Sequence, residues 1–276
     1  NASTATGDIS LPGTGSLAQT ITMGSGNDTL AMAGNLTAAD VIDMGGNSVA
    51  SAATGALGLD TITTTGNLGS TVAAMAPQIS NADAVTITGT ANFIDGSSLT
   101  NVSSLAFANA SGATTLTNMP AGLAISLGVA AAESTHTYTL ALADATGTAD
   151  ALSLVYGATV NTGTSNTIVA AGIETLNVKA PALVAGNVTH SLVLTNMPAA
   201  TINVTGGHSS DTTALGTLNK ATTTVAAGTS KGIVTFDAAA GIAMTVDAVG
   251  SVLNVINLST KADTVTLSGL LGTTVQ

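Results

Sequence analysis

Carboxylates set in one recurring context are the first residues whose type and spacing suggest chemistry. The pattern runs acidic residue, any residue, aliphatic, any residue, aliphatic, and then usually Gly one or two places later. It occurs at Asp28-Thr-Leu-Ala-Met-Ala-Gly34, Asp40-Val-Ile-Asp-Met-Gly-Gly46 and Asp83-Ala-Val-Thr-Ile-Thr-Gly89. It recurs at Asp150-Ala-Leu-Ser-Leu, Glu174-Thr-Leu-Asn-Val and Asp263-Thr-Val-Thr-Leu-Ser-Gly269, with a degenerate copy at Asp60-Thr-Ile-Thr-Thr-Thr-Gly66. Nearly half of the 15 acidic residues therefore share one structural position, the entry to a strand. Carboxylates at glycine-rich turns are the oxygen donors that Ca²⁺ takes, six to eight at a time. The alternative is plainer: an Asp at a strand entry caps a turn by binding its own backbone.

Other chemistry finds less support. His136, His190 and His208 are scattered among Thr and Ser, and no two have the spacing of a transition-metal pair. His208, between Gly206-Gly207 and Asp211, reads as an exposed loop histidine. There is no nucleophile elbow, phosphate-binding loop or dinucleotide fingerprint. With two Tyr, no Trp and no Arg there is no sugar-stacking platform or guanidinium clamp, so no enzymatic activity is expected.

The elements that would position the carboxylates are short strands. Thr86-Ile87-Thr88, Leu192-Val193-Leu194, Ile202-Asn203-Val204 and Val265-Thr266-Leu267 alternate with period two. Thr suits their solvated face, and Gly, Asn, Asp and Ser break them every few residues. Helical periodicity is weak, with room for a turn at Ala73–Ala76 or Val129–Ser134. A literal repeat, Leu116-Thr-Asn-Met-Pro-Ala121 and Leu194-Thr-Asn-Met-Pro-Ala199, strengthens the case for stacked units. Most gaps between acidic positions fit one coil, or less, of a parallel β-helix with roughly 18 to 25 residues per coil. The fold expected is all-β, a parallel β-helix or β-solenoid-like stack of short strands with irregular coils and inserted strands. Leu30, Ile42, Val85, Leu152, Leu176 and Val265, each two places after its acidic residue, should form one internal aliphatic column.

Composition bounds the partners. Hydrophobic residues make up 45% and aromatics only 2%, so the core must be narrow and aliphatic. The only cations are Lys179, Lys220, Lys231 and Lys261, and the net charge is −11. Nothing could neutralise nucleic-acid phosphates, and anionic membrane surfaces are disfavoured likewise. No apolar run reaches 18 residues, so no membrane insertion is expected. Absence of Cys removes disulfides and suits export in an unfolded state. The chain starts at Asn1 with no charged-then-apolar leader, and is read as processed or as a segment of a longer chain.

At Gly24-Ser-Gly-Asn-Asp28-Thr-Leu30 the sequence resembles the RTX nonapeptide, with Met23 where that repeat has Gly. With Gly172-Ile-Glu-Thr-Leu-Asn-Val178, Asp263-Thr-Val-Thr-Leu-Ser-Gly269 and a Cys-free, Ala/Thr/Gly-rich composition, the chain resembles Caulobacter-type bacterial surface-layer (S-layer) proteins. That resemblance implies type I secretion, calcium-driven folding and assembly with copies of itself into a lattice on the outer cell surface. It implies a metal set in which Asp28 gives a carboxylate and Gly24 and Gly26 give carbonyls from the loop holding Asn27. Asp40 and Asp43 would complete or repeat the site, and Asp60 belongs to the degenerate copy. Residues 1–110 would be the RTX-like β-helical part, and 111–276 a further β-rich, lattice-forming part. Anchoring to lipopolysaccharide would lie in parts outside this segment. A calcium-stiffened RTX adhesin shares many of these motifs. An ice-binding solenoid, suggested by Thr61-Ile-Thr-Thr-Thr65 and Thr222–Thr224, would need a regular Thr-x-Thr rank on every coil.

Overall fold

The computed structural model describes the chain except residues 13–16, 35, 47–58, 66–76, 90–92, 129–134, 157–164, 181–188, 196, 248–253, 259, 267–273 and 276. The two candidate helical turns, at 73–76 and 129–134, lie outside the described residues. Everything else expected of the fold class is there: an all-β, parallel solenoid with no α-helix among the described residues. The strands pair only in parallel, each with its equivalent one coil away.

Three sheets make the walls. A long sheet of 12 strands runs from Ser10–Pro12 to Thr264–Thr266 and takes one strand from every coil. A short sheet of 4 strands, Thr20–Thr22, Val41–Asp43, Gln78–Ser80 and Leu99–Thr100, faces its first part. A second sheet of 9 strands, beginning at Phe93–Asp95, takes over from there to Thr274–Val275. The coil spanning residues 84–100 contributes to all three sheets, and the long sheet crosses this change of cross-section unbroken.

Alternation decides which side chains enter the core. In Thr29–Ala33 the burial pattern is exposed, buried, exposed, buried, exposed, which puts Leu30 and Met32 inside and Thr29 and Ala31 outside. Burying each such aliphatic contributes about 1.5–3 kcal/mol. The six aliphatics expected in one column occupy three. Leu30 and Val85 belong to one running Leu30–Ile62–Val85–Leu105–Ile125–Leu154–Val178–Val204. Leu152, Leu176 and Val265 belong to the neighbouring column Leu152–Leu176–Ile202–Val225–Val246–Val265, in which Val265 is only partly buried. Ile42 stacks in the short sheet with Ile21, Ile79 and Leu99. The register shifts by two because strands after residue 150 enter the sheet earlier, as the pairing of Ala124 with Ser153 rather than Ala151 records.

On the outside, Thr175, Thr201, Thr224, Thr245 and Thr264 form one column along the long sheet. The adjoining outer column is Asn177, Asn203, Ala226, Asp247 and Thr266, so only the last of these coils presents Thr-x-Thr.

Candidate functional site

The acidic strand-entry residues act on the coil beside them. Asp60 Oδ1 accepts the Asp28 backbone N–H at 2.8 Å, and Asp83 Oδ2 accepts the Asp60 N–H at 2.9 Å. Asp28 Oδ1 takes the Ile9 N–H at 2.9 Å, one coil earlier. The same relation holds at the far end of the chain. Glu174 Oε2 accepts the Asp150 N–H at 2.9 Å, and Asp263 Oδ1 accepts the Met244 N–H at 2.7 Å. In the short sheet Asp40 Oδ1 accepts the Gln19 N–H at 2.7 Å, while its Oδ2 takes the Thr37 N–H of its own turn at 2.6 Å.

The cause is local. At a corner the backbone enters the sheet, and the N–H just before the strand meets no carbonyl on the next coil. A buried N–H without a partner is costly, and a carboxylate reaching from the next coil supplies a charge-assisted acceptor. Two pairs are reciprocal: the Asp83 N–H donates to the Asp60 carbonyl at 3.0 Å, and the Glu174 N–H to the Asp150 carbonyl at 2.9 Å. The sequence reading offered calcium or a cap on the residue's own turn. The structure adds a third role, a clamp between coils, and the shared strand-entry position of these residues follows from it.

The residues set out as a calcium group divide between two corners. Asp28 and Asp60 enter the long sheet with Asp83, whereas Asp40 and Asp43 stand at the two ends of the short-sheet strand region. Both Asp28 oxygens hold backbone amides, since Oδ2 also accepts the Gly24 N–H at 3.2 Å. Asp43 Oδ1 accepts from the Gly45 N–H at 3.0 Å and from Asn81 Nδ2 at 2.8 Å. The Asn81 bond, then the Gly45 amide, hold the Asp43 carboxyl below its ordinary value. Gly24 and Gly26 are small because neighbouring coils touch there: a Cβ on Gly24 would strike the Ala5 carbonyl oxygen, and one on Gly26 would lie 2.5 Å from the Gly7 carbonyl carbon. The Asn27 N–H donates to Asp8 Oδ1 at 2.9 Å. No three acidic or histidine side chains are grouped so as to hold a metal among the described residues.

Asp60 is the exception in this set. It is fully buried, and its Oδ2 has no hydrogen-bond partner. Burial, reinforced by the Asp28 and Asp83 carboxylates on either side, pushes its pKa up to about 6, against the favourable Asp28 N–H. A buried anion flanked by two more is poorly compensated, and Asp150 further along the sheet likewise has a buried Oδ2 without a hydrogen-bond partner.

Sequence reasoning missed several polar positions. Asn101 Nδ2 donates to Asn81 Oδ1 at 3.1 Å, so Asp43, Asn81 and Asn101 form a ladder up one corner. Asn81 and Asn101 adopt φ of 60° and 54°, the left-handed region that Asn tolerates best after Gly. Asp95 binds the Ser97 N–H and hydroxyl and Asn118 Nδ2. Burial works to raise the Asp95 carboxyl, but these bonds outweigh it and hold the group below its ordinary value. Two histidines are interior residues rather than loop residues, His136 and His190, which lie on second-sheet strands at 1% and 0% exposure. Their alternation in Thr135-His-Thr-Tyr and Thr189-His-Ser-Leu was the available signal. His208 is half-buried in a turn, with Nδ1 3.0 Å from Ser210 Oγ.

No protein-family model, curated protein or solved structure matches this chain.

Proposed function

We propose that this chain is a non-catalytic structural segment of a bacterial surface layer, secreted by a type I route and assembling with copies of itself outside the cell. The observation that carries the reading is the pair of continuous sheet faces. Twelve strands at about 4.8 Å spacing make a rod wall roughly 50 Å long. Its outer columns are small and mostly uncharged, as in Thr175–Thr201–Thr224–Thr245–Thr264 on one side and Thr135–Ser165–Ser191–Ala214–Thr235 on the other. Flat neutral faces of short side chains let copies approach closely, and a heterologous contact repeated by translation propagates. No helix among the described residues is long and apolar enough to cross a membrane.

Calcium enters the proposal at the acidic column of the first coils. Asp60 carries a buried oxygen with no hydrogen-bond partner beside Asp28 and Asp83, and a divalent ion there would offset their mutual repulsion. Asp28 and Asp60 would supply carboxylate oxygen, with carbonyls of the Gly24–Asn27 loop completing the shell. The ion would stiffen the coil stack from inside that corner.

Electron microscopy and sedimentation of the purified chain, in millimolar calcium and in excess chelator, test this. Extended two-dimensional arrays in calcium that disperse on chelation are expected. Isolated rods at every concentration in both conditions would contradict the lattice and favour a calcium-stiffened adhesin. Arrays indifferent to chelation would remove calcium and leave the assembly reading intact.

A further inference from the structure

The second section of the solenoid encloses polar atoms that no protein group satisfies. Tyr156 ends the long-sheet strand Ala151–Tyr156, and Asn166 enters the second sheet in the same coil, on Ser165–Ala170. His190 enters one coil later, on Thr189–Thr195. All three side chains are buried, at 1%, 1% and 0% exposure. The Tyr156 hydroxyl, both amide atoms of Asn166 and both ring nitrogens of His190 have no hydrogen-bond partner. Two of the three touch, and the third lies one coil away in the same sheet as His190. The Tyr156 and His190 ring centroids are 4.5 Å apart. Asn166 pairs in register with Leu192, the next inward-facing residue after His190.

The long-sheet column changes at the same corner. Leu127 pairs with Tyr156, but on the following coils the column continues through Ala180, Gly206 and Ser230. Gly206 has φ of 74°, and a Cβ there would strike the Ala180 carbonyl oxygen. The long-sheet residue at this level thus shrinks from Leu127 and Tyr156 to Ala180, Gly206 and Ser230 on successive coils.

We propose that the inner corner formed by Tyr156, Asn166 and His190 is a binding site for ordered water, held inside the solenoid and bonded to side chains of two successive coils. The donor and acceptor inventory selects the ligand. A cation needs acceptors only, and an anion needs donors only. Asn166 offers both, Tyr156 offers both, and a neutral imidazole has one of each. Water, with two donors and two acceptors, matches such a mixed set, and buried waters typically make about three bonds to otherwise unsatisfied groups. Burial holds the His190 imidazole below its ordinary pKa, with Asp211, at the entry to the next second-sheet strand, opposing that shift. The ring therefore stays neutral near neutral pH. The neighbouring polar residues are already engaged, His136 with Thr114 at 3.0 Å and Tyr138 with the Gly128 carbonyl at 3.1 Å.

A high-resolution crystal structure of the intact chain, with thermal melting of Tyr156→Phe and Asn166→Leu, tests the site. Water density within hydrogen-bond distance of the Tyr156 hydroxyl, the Asn166 amide and a His190 nitrogen is expected. Each variant should then lower the melting temperature by about 2–4 °C, because a bond to a resident water is lost. An apolar corner without density, or side chains bonded to other protein groups, would overturn the proposal. So would a rise in melting temperature in either variant, since removing a truly unpaired buried polar group stabilises the fold. Should a variant fail to fold, the wild-type density decides alone.

Discussion

The first coils and the later ones share a wall and differ in what closes it. Before residue 100 the long sheet faces strands of only 3 residues, such as Val41–Asp43 and Gln78–Ser80. The enclosed space takes Met23, Met32, Met44, Ile42, Ile62 and Ile79, all buried and all aliphatic or thioether. Beyond it the facing strands lengthen to 6 and 8 residues, as in Ser165–Ala170 and Thr135–Leu142. That broader interior admits Phe107 and Tyr138, with ring centroids 5.6 Å apart, together with His136, Asn166 and His190. Strand length sets the bore, and the bore sets where polar groups can go. In the narrow section they are pushed to the corners, where carboxylates clamp one coil to the next. In the broad section some remain inside.

The largest effect should be common to both sections, because the long sheet is. Ile62→Ala in the first and Leu176→Ala in the second each remove a fully buried side chain from that sheet, and each should cost about 2–5 kcal/mol in denaturant unfolding. If only one variant moved the transition, the two sections would be folding as separate units, and the shared wall would not couple them.

Next comes the clamp itself. Asp28→Ala leaves the Ile9 and Gly24 amides without their acceptor, at an expected cost of about 1–3 kcal/mol. Asp60→Asn should behave in the opposite way at neutral pH. The amide oxygen can still accept the Asp28 N–H, while the buried charge between Asp28 and Asp83 is gone. The sign with pH follows from the raised pKa. Folded Asp60 keeps its proton up to about 6, whereas the unfolded chain releases it near 3.8. Wild-type stability should therefore fall as pH climbs through that interval, and a melting series on Asp60→Asn should lose this component. The same variant should bind calcium more weakly if the ion sits in the column, which calorimetry would read directly.

A smaller effect belongs to the asparagine ladder. Asn81→Gly keeps the left-handed backbone but removes the bond to Asp43, for an expected loss of about 0.5–1.5 kcal/mol. Because that bond is the main cause of the lowered Asp43 pKa, the wild type should lose this stability as pH drops below 3.8. The variant should show a shallower acid limb in a pH-dependent denaturation series.

Much of the architecture was legible in the sequence, since period-two alternation and Thr-rich outer positions leave little but stacked short strands. The acidic strand-entry repeat was legible as a position, and its role was not. Whether a carboxylate reaches its own turn, a metal or the next coil depends on which amide the corner leaves unpaired, and no local pattern records that. The single aliphatic column failed for a related reason. Register is set between coils, so Leu152 could sit two places from where Leu30 does while keeping the same local spacing. His136 and His190 were hidden because polar residues at alternating positions ordinarily mark the outside. Only the wider bore makes room for them.

Amide hydrogen exchange, read residue by residue on the folded chain, tests the inter-coil clamp most directly. The N–H groups of Ile9, Gln19, Asp28, Asp60, Asp150 and Met244 should be protected like strand amides, although each is bonded to a carboxylate rather than to a carbonyl. In Asp83→Ala, protection should drop selectively at the Asp60 amide, by about ten-fold for a bond of about 1.4 kcal/mol. Fast exchange at these six amides in the wild type, at rates typical of open turns, would contradict the account.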